Sequence, residues 1–299
     1  MGIAHYIKTI GRGRDGARAL NRAQAADLMG QVLDGVVTDL EIGAFCLAMR
    51  IKGETPEEMA GFLDATHSRI KGIDTSQHCS TVVLPTYNGA RRLPILTPLL
   101  AHLLAQEGLS VIMHGTKTES MRVSSQDVLT AMGSGVFSSI HAVKPGEVVF
   151  VSTEALCPGL KRLLEVRRTI GLRNSAHSLV KLMNVCSDDA LLVSSYTHPE
   201  YAVSMADTLK LTGSHALLLR GTEGEAVADA RRMPKIDAFI DGVQTCLVES
   251  QTGSLTEIPQ IPTQTDANST ALYTQAVLNG ELPIPKPIER QVQAILSVI

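Results

Sequence analysis

The feature that most constrains this chain is an alternation that sets in after residue 77. Short runs of β-branched and aliphatic residues alternate with stretches of helical period, and that pattern leaves room for one architecture: a mostly parallel sheet covered by helices on both faces. Strands are predicted at Thr81–Leu84, Leu109–Met113, Glu147–Ser152, Ala190–Ser195, Ala216–Arg220 and Gln244–Val248. The intervening helices are predicted at Ile95–Gln106, Ser124–Met132, Gly159–Thr169, Ser175–Val185 and Pro199–Leu211. A segment rich in Pro, Thr and Gln, Glu257 to Asn268, reads as a loop, with closing helices at Ser269–Leu278 and Ile288–Val298.

The first 72 residues follow a different rule and read as a small all-helical domain, joined in space by the chain around 170–187. Asn21 and Gln24 have capping-box spacing, and Leu28, Met29, Val32 and Leu33 share a helical face. Asp39 is expected to cap a second helix that carries Ile42, Phe45, Cys46 and Met49, and Thr55-Pro56-Glu57-Glu58 opens a third. Gly11 to Gly16 spells G-x-G-x-x-G, but no strand precedes it and two arginines interrupt it, so a basic turn between helices is the better reading. Lys71 to Gln77 then reads as a linker to the larger α/β domain, 78–299.

Within that domain, Ser110 to Gly133 reads as strand, polar loop and helix start. In an open α/β sheet ligands gather where loops leave the carboxyl ends of strands, and free N–H groups there favour anions. The net charge of −3 argues against a polyanion partner only on average. Met1 to Arg22 carries five cations against one acid, and Pro85 to Lys181 carries eleven against six, so the rest of the chain bears a net −12. Such segregation creates a local positive field. Five dispersed cysteines without a C-x-x-C pair fit a reducing compartment. No secretory leader and no apolar run of about 18 residues is present, so a cytoplasmic protein without membrane association is expected.

The helical start L-N-R-A-Q-A-A-D-L-M, then D-L-E-I-G-A-F-C-L-A-M-R-I-K-G-E-T-P-E-E-M-A-G, resembles the N-terminal domain of anthranilate phosphoribosyltransferase and related pyrimidine nucleoside phosphorylases. H-G-T-K-T-E-S-M-R-V-S-S-Q-D-V-L is similar to that family's K-H-G-N-R loop and S-x-D-V-L helix, and L-C-P-G-L-K through N-V at 185 follows a third motif. The resemblance implies the transferase fold, glycosyltransferase family 3, and a homodimer built through the helical domain.

The resemblance also marks departures. The slot of the family's G-T-G-G-D diphosphate turn reads Thr86-Tyr87-Asn88-Gly89-Ala90-Arg91, and its N-x-S-T motif becomes Leu93 to Thr97. The adjacent Asp-Glu pair that organises magnesium falls near Ala226-Val227, with Glu223, Glu225 and Asp229 close by but not adjacent. Met113, Thr116 and Lys181 replace a lysine, an asparagine and a proline, while Arg173 stands where the family holds anthranilate. These departures resemble the branch of TrpD-like proteins of the YbiB type, which implies nucleic-acid binding in place of transfer chemistry.

The expectation is therefore sequence-independent DNA or RNA binding in a basic groove of a homodimer, with no catalytic residue, metal or cofactor. Arg91, Arg92, Lys117 and Arg122 are expected on two neighbouring strand-end loops, with Lys161, Arg162, Arg167 and Arg168 as a stripe on one helix. With no Trp and 3% aromatic residues, phosphate contacts should dominate over stacking. A residual ligand site would consist of Gly89, His114, Gly115, Ser120, Ser124, Ser125 and Arg173. The alternative is an active phosphoribosyltransferase that uses this site for phosphoribosyl diphosphate, with Glu223 or Glu225 recruiting Mg²⁺. A third possibility is a dimeric scaffold whose helices Asn21–Asp34 and Asp39–Ile51 dock another protein.

Overall fold

The computed structural model describes residues 2–75, 80–134, 136–137, 142–186, 189–255 and 259–299. Gln77, residue 78, Cys79 and Glu257, which bound the expected linker, domain and loop, lie outside the described residues. The chain opens with α1 (Ala4–Ile10), a single-turn α2 (Gly13–Gly16), α3 (Arg22–Leu33), α4 (Asp39–Lys52) and α5 (Pro56–His67). Capping boxes start α3 at Asn21 with Gln24 and α5 at Thr55 with Glu58. At α4 the cap is Thr38 with Glu41 rather than Asp39, because Thr38 keeps extended backbone and its hydroxyl accepts from Glu41 N. The Glu58 carboxylate, fully buried, accepts from Leu20 N at 2.9 Å, Thr55 N at 2.9 Å and Lys52 Nζ at 2.6 Å, which ties three segments of the helical unit together.

The α/β part follows as β1 (Thr81–Thr86), α6 (Thr97–Gln106), β2 (Ser110–Gly115), α7 (Ser125–Ala131), β3 (Val136–Phe137), β4 (Val148–Ser152), α8 (Thr153–Leu156), α9 (Pro158–Ile170) and α10 (Ala176–Leu179). It continues with β5 (Leu191–Tyr196), α11 (Pro199–Thr212), β6 (Ala216–Arg220), β7 (Ile236–Ile240), β8 (Val243–Val248), α12 (Ala267–Leu278) and α13 (Lys286–Leu296). The eight strands run in the order β3-β4-β2-β1-β5-β6-β7-β8, parallel through β6 and antiparallel at the last two. The sheet's two-residue period splits its side chains between two cores. Val83, Ile112, Val149, Val151, Leu192 and Leu218 pack with the helical unit, α9 and α11. Val82, Leu84, Val111, Met113, Val193 and Leu217 pack with α6, α12 and α13 on the other face.

Two predicted elements need correction. The expected helix Ser175–Val185 shrinks to α10, because beyond Val180 the backbone is claimed from outside: Ser194 Oγ donates to Lys181 O at 2.7 Å and Ile73 N to Val185 O at 2.9 Å. Strand β7 has no counterpart among the predicted strands, although Asp241-Gly242 between β7 and β8 is a two-residue hairpin signal with both φ angles positive, 50° and 79°.

Strands β1 and β2 pair through their last residues, Thr86 opposite Gly115, and a Cβ at Gly115 would collide with Thr86 O. Gly115→Ala is therefore expected to cost about 3 kcal/mol, since the obstacle is backbone in a central parallel pair. Urea denaturation of the variant checks this; an unchanged midpoint would show that the two strand ends can part.

Candidate functional site

Because the strands from β4 to β6 run parallel, their carboxyl ends deliver loops to one edge of the sheet. The loop after β1 (87–93) and the loop after β2 (116–124) are laced together there. Ala90 N donates to Val123 O at 2.8 Å, Val123 N to Ala90 O at 2.9 Å, Thr118 Oγ1 to Tyr87 O at 3.0 Å and Arg122 Nη1 to Gly89 O at 3.1 Å. Tyr87 anchors this pair from below: its buried hydroxyl lies 2.8 Å from His114 Nδ1 and accepts from Thr153 Oγ1 at 3.0 Å.

The loop after β6 closes onto the first one. Glu225 Oε1 accepts from Asn88 N and Gly89 N, both at 2.7 Å. Glu223 Oε1 accepts from Arg92 N at 2.6 Å, Leu93 N at 3.0 Å and Arg91 N at 3.1 Å, and its Oε2 lies 3.4 Å from Arg122 Nη1. Five amides of one loop thus converge on two carboxylates, an arrangement that forms an anion-binding nest with its anions supplied by the same chain. The fit demands a tight turn: Glu223 has φ 51°, and a Cβ at Gly224 (φ 86°) would collide with Asn88 Nδ2. Glu225 is 1% exposed, and beside it Lys181 Nζ donates to Gly224 O at 2.7 Å and Ser195 O at 3.3 Å. Burial pushes the Lys181 ammonium down to about 8 against the opposing pull of the Glu225 charge.

The predicted cations fall into three groups. Arg91 and Arg92 are exposed, with no side-chain ion pair among the described residues. Lys117 pairs with Asp127 at 3.0 Å, and Lys161 pairs with Glu165 at 3.0 Å while donating to Thr116 Oγ1 at 3.0 Å, which seats α9 against the second loop. Arg122, Arg167 and Arg173 converge on Glu119, a residue that no motif or spacing rule singles out. Arg168 is exposed beside Glu165, 3.8 Å away. Arg162 leaves the expected stripe: it faces the turn between α3 and α4, 3.9 Å from Asp39.

The predicted ligand residues are mostly engaged in structure. His114 is fully buried, and loss of solvent pushes its imidazole down to about 3, so it is neutral. Ser124 caps α7 in a box with Asp127, Ser125 Oγ lies 2.7 Å from Thr86 Oγ1 inside the core, and Ser120 is exposed at the loop tip. Gly89 N and Gly115 are committed to Glu225 and Thr86 as described. Arg173 borders a cleft of about 490 Å³ between α4, α11 and the sheet edge, also lined by Arg50, Glu54, His177 and Lys181. Burial, helped by the Arg173 charge, holds His177 at about 4.

Residues 4–69 match the helical bundle domain of a glycosyl transferase family. The protein YbiB of Escherichia coli (strain K12) is 37% identical over 304 residues, spanning 99% of this chain and 94% of its own. The chain belongs to the TrpD-like family. Within it, the anthranilate phosphoribosyltransferase of Anaeromyxobacter dehalogenans (strain 2CP-C) is 29% identical over 230 residues, 76% of this chain and 67% of that one. The fold of anthranilate phosphoribosyltransferase (TrpD) from Thermus thermophilus superposes with a TM-score of 0.75 at 20% identity, covering 98% of this chain and 88% of that one.

In this TrpD-like chain Glu225 is a structural ion. Glu225→Gln leaves Lys181 buried without its countercharge, and a loss of about 3 kcal/mol is expected. Denaturant titration reads it directly, and an unchanged stability would mean that the Gly224 and Ser195 carbonyls alone satisfy the ammonium.

Proposed function

We propose that this protein binds nucleic acid through phosphate contacts along the sheet edge formed by loops 87–93 and 116–124 and helix α9, on a transferase fold that no longer takes a sugar diphosphate. The observation that carries the reading is the capture of the 88–93 amides by Glu223 and Glu225. Donors that could cradle a diphosphate are already satisfied, while the side chains of Arg91 and Arg92 on the same loop point to solvent. Polyanion binding then rests on charge rather than on a shaped pocket, which suits sequence-independent contact with a phosphate backbone.

The residues do not fit the magnesium of the alternative. Among the described residues no group of three or more His, Cys, Asp or Glu could hold a metal ion. Both Glu223 oxygens and Glu225 Oε1 accept hydrogen bonds from N–H donors, whereas a cation needs those lone pairs free. Pairing of two copies through the helical unit is supported by an exposed apolar stripe along α4, Leu40, Leu47 and Ile51, seven and four residues apart on one face. No helix among the described residues is long and apolar enough to cross a membrane.

The test is titration of an oligothymidylate across a salt series. The wild type is expected to bind at low salt with affinity falling linearly in log-log form. Arg91→Gln/Arg92→Gln is expected to reduce the slope by about 1.4, roughly 0.7 for each phosphate of a single strand that is no longer neutralised. Thermal melting with phosphoribosyl diphosphate and Mg²⁺ is expected to show no shift. Absent or salt-indifferent binding of the oligonucleotide, or strong stabilisation by the sugar diphosphate, would overturn the reading.

A further inference from the structure

Three guanidinium groups from separate places in the chain meet at one carboxylate. Arg122 in the second loop reaches Glu119 Oε2 at 3.3 Å, Arg167 on α9 reaches Oε1 at 2.8 Å, and Arg173 beyond α9 reaches the same oxygen at 3.2 Å. The cluster carries three positive charges against one negative, and Glu223 touches it only at the Arg122 end, 3.4 Å away. Crowding has consequences for both signs. Burial lowers the Arg173 guanidinium from its ordinary value, aided by the charges of Arg167 and Arg122, while burial would raise the Glu119 carboxyl but the Arg167 hydrogen bond and the surrounding arginines hold it at about 2. The cluster is therefore short of negative charge.

We propose that Glu119 is a resident counter-anion in a three-arginine phosphate subsite, and that one phosphodiester of a bound nucleic-acid strand takes its place. This inference rests on the nucleic-acid reading above. A phosphodiester matches what it replaces: one negative charge shared by two oxygens, in the planar fork geometry that guanidinium groups recognise. The carboxylate can leave, because residues 116–119 form no regular structure and the Glu119 side chain is 27% exposed at the sheet edge. The arginines cannot follow it, since Arg122 is tied to Gly89 O and Arg167 and Arg173 flank the end of a helix packed on the sheet. Arg122 also joins this subsite to Arg91 and Arg92 across the laced loops, so consecutive phosphates along one strand can be served by both.

In the exchange the strand must eject Glu119, and this opposes binding. Glu119→Gln removes the competing charge. The variant is expected to bind an oligothymidylate about three-fold more tightly or better, with a log-log salt slope steeper by about 0.7, one further phosphate contact. Adding Arg167→Gln should return the slope to the wild-type value, whereas adding Arg168→Gln, outside the cluster, should leave the gain intact. Glu119→Asp, whose shorter side chain reaches fewer of the three guanidinium groups, should shift affinity in the same direction by less, which covers the case of a Gln variant that does not fold. Wild-type binding with no gain in either variant overturns the Glu119 inference alone. Absence of binding by every form overturns the nucleic-acid reading with it. Loss of wild-type binding to inorganic phosphate at matched ionic strength would assign the subsite to a free anion and overturn the exchange with a strand.

Discussion

The sheet edge of this protein depends on one interaction, the capture of the 88–93 backbone amides by Glu223 and Glu225. Buried N–H groups must be satisfied, and a loop that turns its amides inward needs acceptors in place of water. In a phosphate-binding protein the ligand supplies them. Here the chain supplies them, at the cost of a left-handed Glu223 and a glycine at 224 that leaves room for Asn88. Once the loop is held closed, its side chains rather than its backbone face the solvent, and its chemistry passes from amides to arginines.

The same logic governs the surrounding charges. Lys117, Lys161, Arg122, Arg167 and Arg173 each have an acidic partner, which keeps a crowded cationic surface stable in the unbound protein. Most of those partners are partly exposed, where an ion pair contributes little and a competing anion can replace it. A chain with net charge −3 can thereby present a surface whose positive charge is revealed only when a polyanion arrives.

Much of the fold was legible in the sequence because the signals were local. Alternation marked the parallel strands, and the boxes at Asn21 and Thr55 fixed helix starts to the residue. The misplaced cap at Asp39 shows the limit: Thr38 and Asp39 are both competent, and only backbone conformation separates them. The truncated helix after Ser175 failed for a different reason, since its residues have helical period but their carbonyls are recruited by Ser194 and Ile73 from distant segments. In the site, strand-end position alone marks the two loops carrying Arg91, Arg92, Lys117 and Arg122. The role of Glu223 and Glu225 is not legible in the same way, because 130 residues separate Glu223 from Leu93 and no spacing rule links them. Glu119 was invisible for the same reason: its three arginines come from a loop, a helix and the turn beyond it.

Amide hydrogen exchange over residues 88–93 tests the central claim most directly. If the carboxylates hold the loop, the amides of Gly89, Arg92 and Leu93 exchange slowly in the free protein, and phosphoribosyl diphosphate with Mg²⁺ leaves their rates unchanged. Fast exchange in the free protein, slowed by adding the sugar diphosphate, would show an open cradle awaiting its ligand and would contradict the account.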